Sequence, residues 1–180
     1  MGSEGGDGST QAPVWVFGYG SLIWRPDFPF LERRTATVTG WARRFWQGSH
    51  DHRGVPDAPG RVVTLVPAPG ETCIGMAYRI EHAVFDHLDY REKNGYERVA
   101  VSLTLDGADI AEGVVYIAPV GNHAFLGDAP MEEMAHQIRR SAGPSGKNVD
   151  YLVELADALR ALGARDAHVF ALEAAVKSRP

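Results

Sequence analysis

Two segments of this chain carry residues whose type and spacing suit chemistry. The first is Phe17-Gly18-Tyr19-Gly20-Ser21-Leu22-Ile23. Two glycines around a tyrosine let the backbone turn sharply and approach a ligand closely. Successive main-chain N–H groups in such a turn can cradle an anion or a developing oxyanion. It is not a dinucleotide fingerprint, because the third glycine would fall at Ile23. The spacing alone fits a tight structural turn as well as a ligand cradle. Ser21 has no G-x-S-x-G pattern around it and no placeable His and Asp. It reads as a hydroxyl that binds substrate and not as one that attacks it.

The second is Glu92. Phe85, Leu88 and Glu92 are spaced i, i+3, i+7, so a helix that persists to Glu92 turns its carboxylate inward. Burying a charged carboxylate is costly, so its pKa rises toward neutrality, which suits a general acid/base. Gly95 follows and ends the helix at an edge where a cavity can open. A helix that frays earlier leaves Glu92 solvated beside Arg91 and Lys93, and spacing does not decide between the two.

Other candidates read as structural. Gly143-Pro144-Ser145-Gly146-Lys147-Asn148 lacks the first glycine of a phosphate loop, having Ser141 there, and carries Asn148 in the Ser/Thr position. It reads as a turn that caps the next helix through Asn148. His50, Asp51 and His52 are adjacent in a Gly/Pro-rich loop with no distant ligand, so they read as solvated and no metal is expected. Arg43-Arg44 with Trp41, Phe45 and Trp46 reads as a strand with a packed aromatic face and an exposed charged face, not as a base-stacking platform. Cys73 reads as a small buried hydrophobe.

The elements that must position these residues are mostly strands, then mostly helices. Val14–Phe17 is a short apolar run stopped by Gly18. Thr35–Thr39 and Arg43–Gln47 lean to β around Gly40. Arg61–Val66 follows a turn-rich loop over Gly54–Gly60, and Cys73–Ile80 is a further strand with Gly75 at a bulge or close approach. Glu97–Leu105 alternates, with Val99, Val101, Leu103 and Leu105 on one face, and Asp106-Gly107 turns into a last strand at Gly113–Ala118. Helical stripes run over Val84, Phe85 and Leu88; over Met131, Met134, Ala135 and Ile138, opened by Pro130 as first helical residue; over Leu152, Leu155, Ala156 and Leu159, ended by Gly163; and over Val169, Leu172 and Val176. This pattern predicts an α+β fold, a small mixed β-barrel or curled sheet with flanking and C-terminal helices.

The 180 residues hold 18 Lys plus Arg against 23 Asp plus Glu, a formal charge of −5. A mildly acidic chain of this size suits one globular domain and is a poor general nucleic-acid binder. A lone cysteine excludes an internal disulfide framework. No apolar run reaches the ~18 residues of a membrane span, and no signal-peptide core follows the start. The expectation is a cytoplasmic protein without membrane or nucleic-acid partners. Residues 1–13, small and polar, read as a disordered tail, and 14–180 as a single domain.

Together these pieces resemble the ChaC-type glutathione-specific γ-glutamylcyclotransferases. The matching stretches are VWVFGYGSLIWRPDFPF from Val14, GWARRFWQGSHDHRG from Gly40, PGRVVTLV from Pro59, GMAYRI from Gly75, REKNGYE from Arg91 and AGPSGKNVDYL from Ala142. They run in the expected order from about Val14 to Val176. The resemblance implies a compact mixed barrel with packed helices and cleavage of glutathione into 5-oxoproline and cysteinylglycine, without a cofactor. It carries the family's γ-glutamyl-binding turn onto Gly18, Tyr19, Gly20, Ser21, Leu22 and Ile23, and its catalytic glutamate onto Glu92. Two alternatives are a cyclotransferase acting on other γ-glutamyl amino acids or amines, and a non-catalytic partner of a cation transporter. The glycine end of the tripeptide needs basic side chains, for which Arg44 and Arg61 are candidates.

Overall fold

The computed structural model describes residues 11–91 and 96–178. Residues 1–10 of the expected tail, and Glu92 itself, lie outside the described residues. Five strands form a closed barrel in the order β1-β3-β2-β4-β5. They are β1 (Val14–Gly18), β2 (Glu32–Ser49), β3 (Gly60–Ile80), β4 (Glu97–Leu105) and β5 (Ile110–Ile117). All neighbours are antiparallel except the closing β1–β5 pair, which runs parallel through Trp15 with Gly113 and Val16 with Val114. Helix α1 (His82–Arg91) links β3 to β4, while α2 (Met131–Arg140), α3 (Asn148–Ala161) and α4 (Ala167–Lys177) follow the barrel. A small hairpin, β6 (Ala142–Gly143) with β7 (Gly146–Lys147), joins α2 to α3. The α+β barrel expected from the sequence is the fold observed.

The sequence reading divides β2 and β3 into four strands, and the chain makes two. The register shifts between Thr39 and Trp41, next to Gly40 at φ +86°, and pairing resumes at once. A bulge of this kind bends a strand without ending it. Beyond the bulge the β2–β3 hairpin meets the helices, with Phe45 N–H on His168 of α4 and Val63 N–H on Tyr151 of α3. β5 begins at Ile110, three residues earlier than Gly113. The β4 alternation holds: Val101, Leu103 and Leu105 are buried, while Arg98, Ala100, Ser102 and Thr104 are exposed.

Each helix buries its expected stripe. Phe85 and Leu88 of α1, Met134, Ala135 and Ile138 of α2, Leu152, Leu155, Ala156 and Leu159 of α3, and Val169, Leu172 and Val176 of α4 are all in the core. Two local expectations are corrected. Pro130 is the cap of α2 with extended ψ, one position before the first helical residue. Asn148 does not cap α3, since Lys147 holds that position. The Asn148 side chain instead accepts from Arg61 N–H and donates to Arg61 carbonyl, both at 2.8 Å. It thereby satisfies the hydrogen bonds of the β3 edge as a neighbouring strand would.

Burial also fixes the state of His168 on α4. Its Nε2 accepts from Phe45 N–H at 3.0 Å, and its ring stacks on Phe45. Burial first, then nearby Arg44, pushes its pKa down from 6.5 to about 4. Between those two values the unfolded chain binds a proton that the folded chain refuses, so acid favours unfolding there. The expected result is a thermal midpoint that falls from pH 6.5 toward pH 4 more steeply in the wild type than in His168→Gln. Equal slopes for the two proteins refute it.

Candidate active site

Gly18 ends β1 opposite Met76, and the chain then makes a single 3-10 turn over Ser21–Ile23. The six residues Gly18, Tyr19, Gly20, Ser21, Leu22 and Ile23 lie together at one end of the barrel. Every carbonyl from Tyr19 to Ile23 is engaged. Arg43 Nε donates to Tyr19 O at 2.7 Å, and Ile23 N–H to Gly20 O at 2.9 Å. Ser21 O accepts from Trp24 and Arg25 N–H at 3.2 and 2.7 Å. Tyr78 hydroxyl donates to Leu22 O at 2.5 Å, with Ile23 O at 3.3 Å. The N–H groups of Gly20, Ser21 and Leu22 have no acceptor among the described residues. A trans peptide sets its C=O and N–H in opposite directions. Because Tyr19 O points at buried Arg43, Gly20 N–H points away from it.

Arg43 corrects the sequence reading. It is 2% exposed and sits on no charged outer face. Its guanidinium bonds Tyr19 O, Ile74 O and Asp166 Oδ2, the last at 2.7 Å. Asp166 in turn caps α4 by accepting from Val169 N–H at 3.0 Å. The signal was present in the sequence: Trp41, Arg43 and Phe45 share one parity in a strand, so Arg43 points with the aromatics. Burial pushes the Tyr78 phenol up to about 12, which keeps it a donor to the turn.

The turn also needs its glycines. A Cβ on Gly18 would lie 2.8 Å from Leu22 Cβ. One on Gly20 would lie 3.0 Å from Val63 Cγ2 and 3.1 Å from Tyr151 Oη. Ser21 is exposed, and among the described residues no His or carboxylate hydrogen-bonds its hydroxyl.

Two hydrogen bonds tie α1 to the turn. Tyr19 hydroxyl donates to Tyr116 O at 2.8 Å, and Tyr116 hydroxyl donates to Asp89 Oδ1 at 2.6 Å. Burial, together with Asp89, raises the Tyr116 phenol well above its ordinary value. Asp89 also pairs with Arg98 at 3.1 Å. Asp89, Tyr116 and Tyr151 are not singled out by the sequence, which shows no partner at a distance, and Arg43 reads there as an exposed charge.

Parallel β1 and β5 end together, and antiparallel β4 begins there, with Glu97 opposite Ile117. At this mouth of the barrel lies a cavity of about 240 Å³, walled by Trp41, Leu65 and Pro67 of the hairpin and by Val99, Ile117 and Glu97. It is apolar apart from Glu97. The turn after β1 reaches this end of the barrel, since Gly18 closes β1 there.

The remaining candidates are exposed, inert or engaged in other contacts. Asp51 and His52 side chains are 68% and 69% exposed, and among the described residues no three potential ligands group around a metal position. Burial raises the Cys73 thiol to about 11, so it is an inert core group. Arg61 is spent on Gln137 and on the carbonyls of Phe45 and Gly127. Arg44 bonds Arg43 O and pairs with Glu71. No described helix is long and apolar enough to cross a membrane.

Comparison with known proteins agrees with this geometry. The model of the ChaC-like protein family matches residues 14–179. γ-Glutamylcyclotransferase 2-3 of Arabidopsis thaliana is 45% identical over 168 residues, covering 87% of this chain and 84% of that protein. Glutathione-specific γ-glutamylcyclotransferase 1 of Homo sapiens is 40% identical over 180 residues, covering 94% and 81%. A crystal structure of a γ-glutamyl cyclotransferase specific to glutathione from yeast superposes with a TM-score of 0.84 at 33% identity, over 92% of this chain and 96% of that one. With a family model matched over nearly its whole described length and relatives this similar, the chain belongs to the ChaC-like protein family.

Proposed function

We propose that this chain degrades glutathione to 5-oxoproline and cysteinylglycine. The observation that carries the reading is the turn after β1, whose carbonyls are all engaged while the N–H groups of Gly20, Ser21 and Leu22 find no acceptor among the described residues. A row of fixed donors suits an oxygen that gains negative charge during reaction. The relatives' activity supplies the substrate.

The γ-glutamyl group brings its own nucleophile. Its free α-amine attacks its γ-carbonyl carbon, a C–N bond closes the five-membered lactam, and the amide bond to cysteine breaks. No water is consumed and no protein atom is acylated. The enzyme's first task is to fold the substrate, and well-oriented intramolecular reactions reach effective molarities of ~10⁵–10⁸ M. The second is proton transfer. The ammonium must lose a proton before it attacks, and the departing nitrogen must gain one. Glu92 does both in sequence, as base and then acid. The tie from Asp89 through Tyr116 to Tyr19 supports this, because it fixes the last described turn of α1, which runs to Arg91, beside the substrate turn. The third task is to stabilise the carbonyl oxygen, which falls to the main-chain donors, at roughly 10²–10³-fold in rate per donor.

Incubation with reduced glutathione and mass detection of both fragments tests the reading. Release of 5-oxoproline from glutathione but little from γ-glutamyl-alanine is expected. No 5-oxoproline from any γ-glutamyl compound would overturn it, and equal release from both would widen the substrate class.

Arg43 holds the turn in this scheme. Arg43→Met strands the Asp166 carboxylate and two carbonyls, so stability should fall by roughly 3–5 kcal/mol. Turnover per folded molecule should fall too, because the Tyr19 peptide is free to rotate. Denaturant midpoints and kcat on the same samples check this, and full turnover from the folded fraction refutes the role.

A further inference from the structure

One polar group at the turn is left unused by this scheme. Tyr151 of α3 is 6% exposed, and its oxygen accepts the Val63 N–H at 3.3 Å. Its own proton has no acceptor among the described residues. The carbonyls of the turn already accept from Arg43, Ile23, Trp24, Arg25 and Tyr78. A buried donor left unpaired is costly, and a ligand oxygen relieves that cost.

The ring has no freedom to turn its hydroxyl elsewhere. Trp24 and Phe45 meet it edge-on at 5.6 and 5.8 Å between centroids, and the Arg53 guanidinium lies over it at 5.7 Å. Trp24 directly follows the turn, and its indole donates to Glu154 Oε2 at 3.1 Å, one helical turn beyond Tyr151. Ring, turn and helix are thus one packed unit. The hydroxyl oxygen lies 3.1 Å from the point where a side chain on Gly20 would begin. Burial pushes the phenol up to about 12, so the group is a neutral donor.

We propose that Tyr151 is a substrate-contacting residue whose hydroxyl donates a hydrogen bond to an oxygen of the γ-glutamyl group held beside Gly20. This rests on the glutathione reading above. Two oxygens share that chemistry, those of the α-carboxylate and the γ-carbonyl oxygen that becomes anionic.

The test compares wild type with Tyr151→Phe, on glutathione and on its α-carboxamide analogue, with thermal midpoints recorded. The variant should stay folded and lose roughly tenfold to a hundredfold in kcat/KM on glutathione. A loss confined to KM that vanishes on the analogue identifies the α-carboxylate as partner. A loss confined to kcat that persists on the analogue identifies the carbonyl oxygen. Wild-type kcat/KM on glutathione, or a loss spread over both constants and equal for both substrates, overturns the assignment while leaving the glutathione reading intact. A wild-type chain that releases no 5-oxoproline overturns both. Should Tyr151→Phe fail to fold, 3-fluorotyrosine at this position keeps the packing and strengthens the donor. A changed kcat/KM then supports the contact, and an unchanged one overturns it.

Discussion

Glu92→Gln is expected to give a folded chain that still binds glutathione but turns it over roughly 10²–10⁴-fold more slowly. The substitution exchanges a carboxylate for an amide of the same shape, so the fold is expected to be kept. What is lost is the ability to take a proton. The substrate's α-amine arrives as an ammonium, which has no lone pair to attack with, and an amide is too weak a base to free it. The leaving nitrogen is left unprotonated by the same change, so both halves of the reaction suffer from one substitution. In the proposed scheme binding relies on the turn, so it is expected to be spared. The measurement is 5-oxoproline release against glutathione concentration, alongside glutathione-induced thermal stabilisation. Substantial residual turnover would refute Glu92 as the base, and loss of binding with turnover would point to a structural role.

Acetylating the α-amine of glutathione should abolish the reaction outright. An acetylated nitrogen has its lone pair delocalised into the new carbonyl and cannot close the ring. The effective molarity of the internal amine is the largest contribution to rate in this scheme, on the order of 7–11 kcal/mol of barrier. Water has no comparable advantage, and among the described residues no His or carboxylate hydrogen-bonds the Ser21 hydroxyl to let it replace the amine. Cysteinylglycine measured from N-acetyl-glutathione and from glutathione in parallel decides the matter. Its appearance from the blocked substrate would mean hydrolysis and would sink the internal-attack mechanism.

Much of the fold was readable because side-chain periodicity is a local property. Val14–Phe17, the β4 alternation and the stripe Leu152, Leu155, Ala156 and Leu159 each declare their buried face within a few residues. Gly40 and the Pro67–Gly70 stretch misled because a glycine or proline that breaks a strand resembles one that only bends it. The deciding fact is the partner strand's register, which lies elsewhere in the chain. The turn after β1 was visible through its glycines, and the family resemblance gave it a proposed purpose. The residues that hold it were not. Arg43 is charged and Tyr151 sits at a helix position that reads as core, and their roles exist only through Tyr19 and Gly20, 24 and over a hundred residues away. Asn148 was misassigned because its neighbour in sequence, a helix start, lost to its neighbour in space, Arg61.

The three-way grip of Arg43 joins the two ends of the fold. β1 and the turn stand near the start of the sequence, while Asp166, which supplies the counter-charge for the guanidinium, stands at the entry to α4. A chain truncated before Asp166 would leave Arg43 against two carbonyls with no carboxylate, so the Tyr19 peptide is expected to lose its anchor even where every barrel strand is present.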